Sequence, residues 1–106
     1  MIDRNNIRKY GGWTFTGWTN DETKAVSYWL LNFDYPGESW AIISLDYFQT
    51  EGSNAKYLLA DQLKDTVTGN APKLGTSPYS YLLRFALDKV NWIEIAEAML
   101  DQHQPF

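Results

Sequence analysis

Cysteine is absent from the 106-residue chain, which removes disulfides, thiolate metal ligands and thiol nucleophiles together. Small secreted domains ordinarily depend on such bridges, so a reducing compartment and a cytoplasmic location are expected. Histidine is almost as scarce, with His103 the single copy. It falls in a polar stretch near the end of the chain and reads as a solvent-exposed bystander, because a catalytic or metal-bound imidazole needs an orienting partner and a fixed frame. These shortages leave no Cys-His or Ser-His-Asp arrangement to be assembled from this chain. No GxSxG, P-loop or GxGxxG pattern is present either. The expectation is a protein that is not an enzyme and uses no cofactor or metal. No apolar run approaches the roughly 20 residues needed to cross a bilayer. Met1 to Tyr10 carry Asp3, Arg4, Arg8 and Lys9 with no apolar stretch behind them, so neither a membrane partner nor a signal peptide is expected.

Positive charge is also in short supply. Nine Lys and Arg stand against thirteen Asp and Glu, for a formal charge of −4. Arg4, Arg8 and Lys9 make the first ten residues basic, while the rest of the chain is acidic. A general nucleic-acid binder needs a basic face large enough to displace phosphate counterions, so nucleic acid is not the expected partner. An alternative keeps a nucleic-acid-associated regulator that uses Arg4, Arg8 and Lys9 beside Trp13. A second alternative is a magnesium-dependent enzyme. Asp61 with Asp65, and Glu94 with Glu97 and Asp101, have the i, i+3 or i+4 spacing that places two carboxylates on one helix face. Both sets lie opposite apolar stripes, where a solvated face carries charge in any case.

What is present points to one mainly α domain over residues 1–106, with an N-terminal segment (1–18), a helical body (19–102) and a tail (103–106). The expected architecture is a compact domain of four to five helices with a short N-terminal β-strand or hairpin. The strand is Trp13 to Trp18, where aromatic and β-branched residues follow Gly11 and Gly12. Thr19 or Asn20 then caps a helix from about Asp21 to Phe33, whose Val26, Trp29, Leu30 and Phe33 form one stripe at 3.6-residue spacing. Residues 38–48 fit a helix or a strand, since Trp40 to Ile43 is apolar on every side. Ala55, Leu59, Leu63 and Val67 mark a third helix ending at Gly69, read as a left-handed stop. After a loop over 70–76, Ser77-Pro78 starts a helix with Tyr79, Leu82, Leu83, Ala86, Leu87 and Val90 on one side. Asn91 caps a last helix, with Trp92, Ile95, Ala96 and Met99 inward and a frayed end from Gln102.

Seventeen residues are Trp, Tyr or Phe. A domain of this size buries many of them as core. Trp and Tyr also anchor protein interfaces. Trp13, Trp18, Tyr35, Trp40 and Tyr47 lie in or beside segments whose inner face is already occupied, and they are the candidate contacts for a protein partner.

Gly17-Trp18-Thr19-Asn20-Asp21-Glu22-Thr23, followed by Val26, Trp29-Leu30 and Asn32, resembles the GW-x-N-x-E-T and W-L-x-N signature of a family of small uncharacterised proteins of phages and mobile elements. Tyr81-Leu82-Leu83, Ala86-Leu87, Val90-Asn91-Trp92 and Glu94-Ile95-Ala96 resemble its second block. Lys24 stands where that family more often has an aromatic residue. The resemblance implies no activity, only a setting among accessory genes, with the host cytoplasm as location. Asn20, Glu22, Thr23 and Asn32 admit a structural role as helix-end ligands, or a binding site around Asn20, Glu22 and Asn32. The function expected from all of this is a non-enzymatic accessory factor that binds a host protein, with a counter-defence or anti-CRISPR inhibitor as a narrower form. Aromatic surface on a small domain also allows a homodimer.

Overall fold

The computed structural model describes residues 17–103. Five α-helices occupy most of that span: α1 (Asp21–Asn32), α2 (Trp40–Glu51), α3 (Ala55–Gly69), α4 (Pro78–Asp88) and α5 (Trp92–Gln102). A 3-10 turn, Gly52–Asn54, joins α2 to α3. No strand occurs among the described residues. The strand expected over Trp13 to Trp18 lies outside them up to Thr16, and Gly17 and Trp18 have no strand assignment. The ambiguous 38–48 segment is a helix that starts at Trp40.

The core is one contiguous cluster built mainly where α3 meets α5. Ala55, Leu59 and Leu63 repeat every fourth residue along α3 and are buried as the spacing requires, with Val67 half-buried beyond them. From α5, Ile95, Ala96 and Met99 are fully enclosed. Trp40 enters this cluster from the start of α2, and its indole N–H donates to the Tyr35 carbonyl at 2.7 Å, so the buried ring leaves no polar atom unsatisfied. Trp18, 6% exposed, and Trp92 complete it near the starts of α1 and α5.

α1 departs from its expected face. Its buried side chains are Thr23, Ser27, Leu30 and Leu31, whereas Trp29 is 53% and Phe33 47% exposed. The helix is rotated because its inner face is fixed by polar contacts that hydrophobic spacing does not register. Asn20 Oδ1 caps α1, accepting from Thr23 N at 2.8 Å and from Thr23 Oγ1 at 2.7 Å. Thr23 Oγ1 accepts in turn from Asn91 N at 2.9 Å, and Asn91 Oδ1 caps α5 by accepting from Glu94 N at 3.1 Å. Glu94 Oε1 returns across the junction to accept from Thr19 N at 3.1 Å, and Asn20 Nδ2 donates to Lys89 O at 2.7 Å. Two helix N-termini thus satisfy each other's unpaired amides, which requires Thr23 to point inward.

Two further expectations are corrected. Gly69 is the last residue of α3 and not a left-handed stop; Asn70 is the C-cap, and the glycines at positive φ among the described residues are Gly37, Gly52 and Gly75. In α4 the Ser77 cap, its capping box with Ser80 and Pro78 at the first position all form. The apolar stripe it launches is nevertheless only partly covered. No residue of α4 is buried: Leu83, Ala86 and Leu87 are half-buried, and Tyr79, Leu82 and Phe85 are exposed. Lys89 to Asn91 turn the tight corner from α4 to α5.

Candidate protein-binding surface

The rotation of α1 brings aromatic rings to the outside. Trp29 and Phe33, one helical turn apart, pack with centroids 5.0 Å apart at 37°. Tyr28 meets Phe33 edge-on at 5.7 Å. Beyond the end of α1, Asp34-Tyr35-Pro36-Gly37 turns back, with a cis Tyr35–Pro36 bond and Gly37 at φ +105°, a backbone geometry that favours glycine. The turn sets Tyr35 against Trp29, centroids 6.3 Å apart at 61°. Tyr35 is 42% exposed, held by the bond from Trp40 to its carbonyl.

Two depressions flank this pair. One, of about 480 Å³, is lined by Trp29, Phe33, Asp34, Tyr35, Pro36 and Gly37 together with Asn70. The other, of about 340 Å³, has Ala25, Val26, Leu30 and Val67 as its floor and shares Trp29 and Tyr35 as wall. His103 follows α5, half-buried, with Asp34 in its electrostatic neighbourhood. Burial lowers its pKa from the usual 6.5, while the Asp34 carboxylate acts in the opposite direction. It is not the fully solvated group its polar surroundings in sequence suggest, because α5 continues to Gln102 and carries His103 back onto the fold.

The residues singled out from the sequence separate into three groups. Tyr35 lies in this cluster. Trp18 and Trp40 are core side chains and offer no surface, since each is drawn inward where two helices start. Tyr47 is half-buried and donates to Gln62 Oε1 at 2.6 Å, bridging α2 to α3. Trp13 lies outside the described residues, as do Arg4, Arg8 and Lys9. Asn20 and Thr23 belong to the capping network; Glu22 is a half-buried first-turn acid, and Asn32 Nδ2 donates within α1 to Tyr28 O at 2.9 Å. Asn20, Glu22 and Asn32 line neither of the two depressions.

The carboxylates are dispersed by the fold. Asp61, Asp65 and Asp101 are exposed, and Glu97 forms a surface ion pair with Lys56 at 3.2 Å. Glu94, expected on a solvated face, is instead 8% exposed and occupied by the capping network. Among the described residues no three His, Cys, Asp or Glu side chains are grouped to hold a metal ion. No helix among them is long and apolar enough to cross a membrane. Sequence reasoning missed Trp29 and Phe33 as surface residues, because their spacing with Val26 and Leu30 is that of a core stripe. The polar Thr23 and Ser27, also one turn apart, were the available signal for the rotated face.

Comparison with known proteins returns no matching family model, no matching curated protein and no matching solved structure.

Proposed function

We propose that the chain is a non-enzymatic protein-binding factor whose recognition surface is the Trp29, Phe33 and Tyr35 cluster. One observation carries the reading: three large aromatic side chains stand 42–53% exposed around two adjoining depressions, although the same chain encloses Trp18, Trp40 and Trp92. Aromatic side chains left in water beside concave surface are what interface anchors require, because they bury much area on docking and lose little conformational freedom. The body that presents them is acidic, with twelve Asp and Glu against six Lys and Arg between residues 17 and 103, which favours a partner with a basic contact surface.

The setting among phage or mobile-element accessory genes, with a host protein as target and counter-defence as one form of the activity, rests on the resemblance of the two sequence blocks. Four residues of those blocks also have a structural role in this chain. Asn20 and Thr23 of the first block and Asn91 and Glu94 of the second meet in a single capping network.

The test is capture from the native host with the intact chain, followed by rebinding of each captured protein in purified form to wild type, Trp29→Ala and Tyr35→Ala. A partner whose affinity falls at least about tenfold in both variants supports the proposal. Captured proteins that bind all three alike, or turnover of a small molecule by the purified chain, overturn it.

A further inference from the structure

We infer that the cleft walled by Trp29 and Tyr35 accepts a cationic side chain, arginine or lysine, from a partner polypeptide, with Asp34 as its counter-charge. The inference rests on the docking surface proposed above and specifies the chemistry of the group that enters it.

The first support is the rings. Trp29 and Tyr35 meet at 61° with centroids 6.3 Å apart, and Phe33 packs on Trp29 at 5.0 Å, so three aromatic rings border the same depression. A cation is attracted to such a face within about 6 Å of the centroid, most strongly by Trp. The second is Asp34, which lines that depression alongside the rings. An apolar anchor seated there would strip water from a carboxylate and return nothing, whereas a guanidinium or ammonium group compensates it. The third is the field: twelve acidic and six basic side chains over residues 17–103 give the described body a net negative charge that attracts cations, and Asp34 places one of those charges at the cleft. The imidazole nearest Asp34 does not oppose this, because burial lowers the His103 pKa and so leaves the ring neutral at pH 7. The adjoining depression over Val26, Leu30 and Val67 is apolar and suits the methylene stem of the same side chain.

Two capped pentapeptides, identical except for a central arginine or its neutral isostere citrulline, and a third with central leucine, provide the probes. Each is titrated into the ¹⁵N-labelled chain while the indole N–H resonances are followed. The arginine peptide is expected to shift the Trp29 indole saturably in the millimolar range, with citrulline weaker by about tenfold. Asp34→Asn is expected to bring the arginine peptide close to the citrulline value. The Trp18 and Trp92 indoles stay in place throughout and report that each variant is folded. Equal binding of arginine and citrulline, or no movement of Trp29 with arginine, overturns the cation assignment. Saturable binding of the leucine peptide alone at Trp29 overturns it while leaving the docking surface standing. Failure of all three overturns it too, and the capture experiment then decides the docking surface separately.

Discussion

Thr23 performs two tasks with one hydroxyl, donating to the Asn20 cap and accepting the Asn91 amide. Replacing it by valine preserves shape and removes both, leaving the part-buried Asn91 N–H without its partner. Thr23→Val is expected to lower unfolding free energy by about 1–3 kcal/mol in urea titration, a range that an unsatisfied buried donor sets. Ser44 presents the opposite case. Its hydroxyl is enclosed and has no hydrogen-bond partner among the described residues. Ser44→Ala removes an unpaid desolvation cost and is expected to leave stability unchanged or raise it by up to about 1 kcal/mol in the same titration. His103 supplies a pH dependence. Its folded pKa is depressed by burial, so the unfolded chain takes the proton first as pH falls. The stability contributed by the neutral ring is complete above about pH 6.5 and declines as pH drops through the folded pKa. Melting curves between about pH 7 and about pH 5 are expected to fall more steeply for wild type than for His103→Gln.

At the scale of elements, α3 and α5 hold the fold and α4 depends on its ends. α4 has 11 residues and buries none of them, and isolated helices shorter than about 12–15 residues are marginal in water. Its persistence rests on the Ser77–Ser80 capping box, on Leu87 packed against the core and on Val90 anchoring the corner that follows. Native-state hydrogen exchange is therefore expected to find α4 amides exchanging well before those of α3 and α5; equal protection would show a contact surface covering α4 in solution. Legibility in the sequence divides along the same line. α3, α4 and α5 were readable from local signals: Ala55 to Val67 at every fourth position in α3, Ser77-Pro78 at the start of α4, and Asn91 at the start of α5. α1 was readable as a helix but not in orientation, since its inward face is set by a hydrogen bond between Thr23 and Asn91, nearly seventy positions away. Sequence spacing measures hydrophobic repeat within an element and is blind to a polar junction between two of them. The strand-or-helix ambiguity at Trp40 to Ile43 has the same origin, because only packing against α3 and α5 decides which of four apolar residues is enclosed, and it selects Trp40.

For the whole molecule, six of the aromatic residues divide between two duties. Trp18, Trp40 and Trp92 fill the core, and Trp29, Phe33 and Tyr35 are displayed beside concave, acid-flanked surface. Of the candidates read from sequence, Tyr35 alone combines candidacy with membership of that cluster, and Trp29 takes the central place. The division follows from one cause: the reciprocal capping of α1 and α5 turns Thr23 and Ser27 inward, which turns Trp29 and Phe33 outward. Calorimetric titration of a purified partner into Trp29→Ala measures the consequence most directly. The predicted result is an affinity at least about tenfold below wild type with an unchanged melting temperature, as an exposed anchor requires. Unchanged affinity accompanied by a lowered melting temperature would contradict it and return Trp29 to a purely structural role.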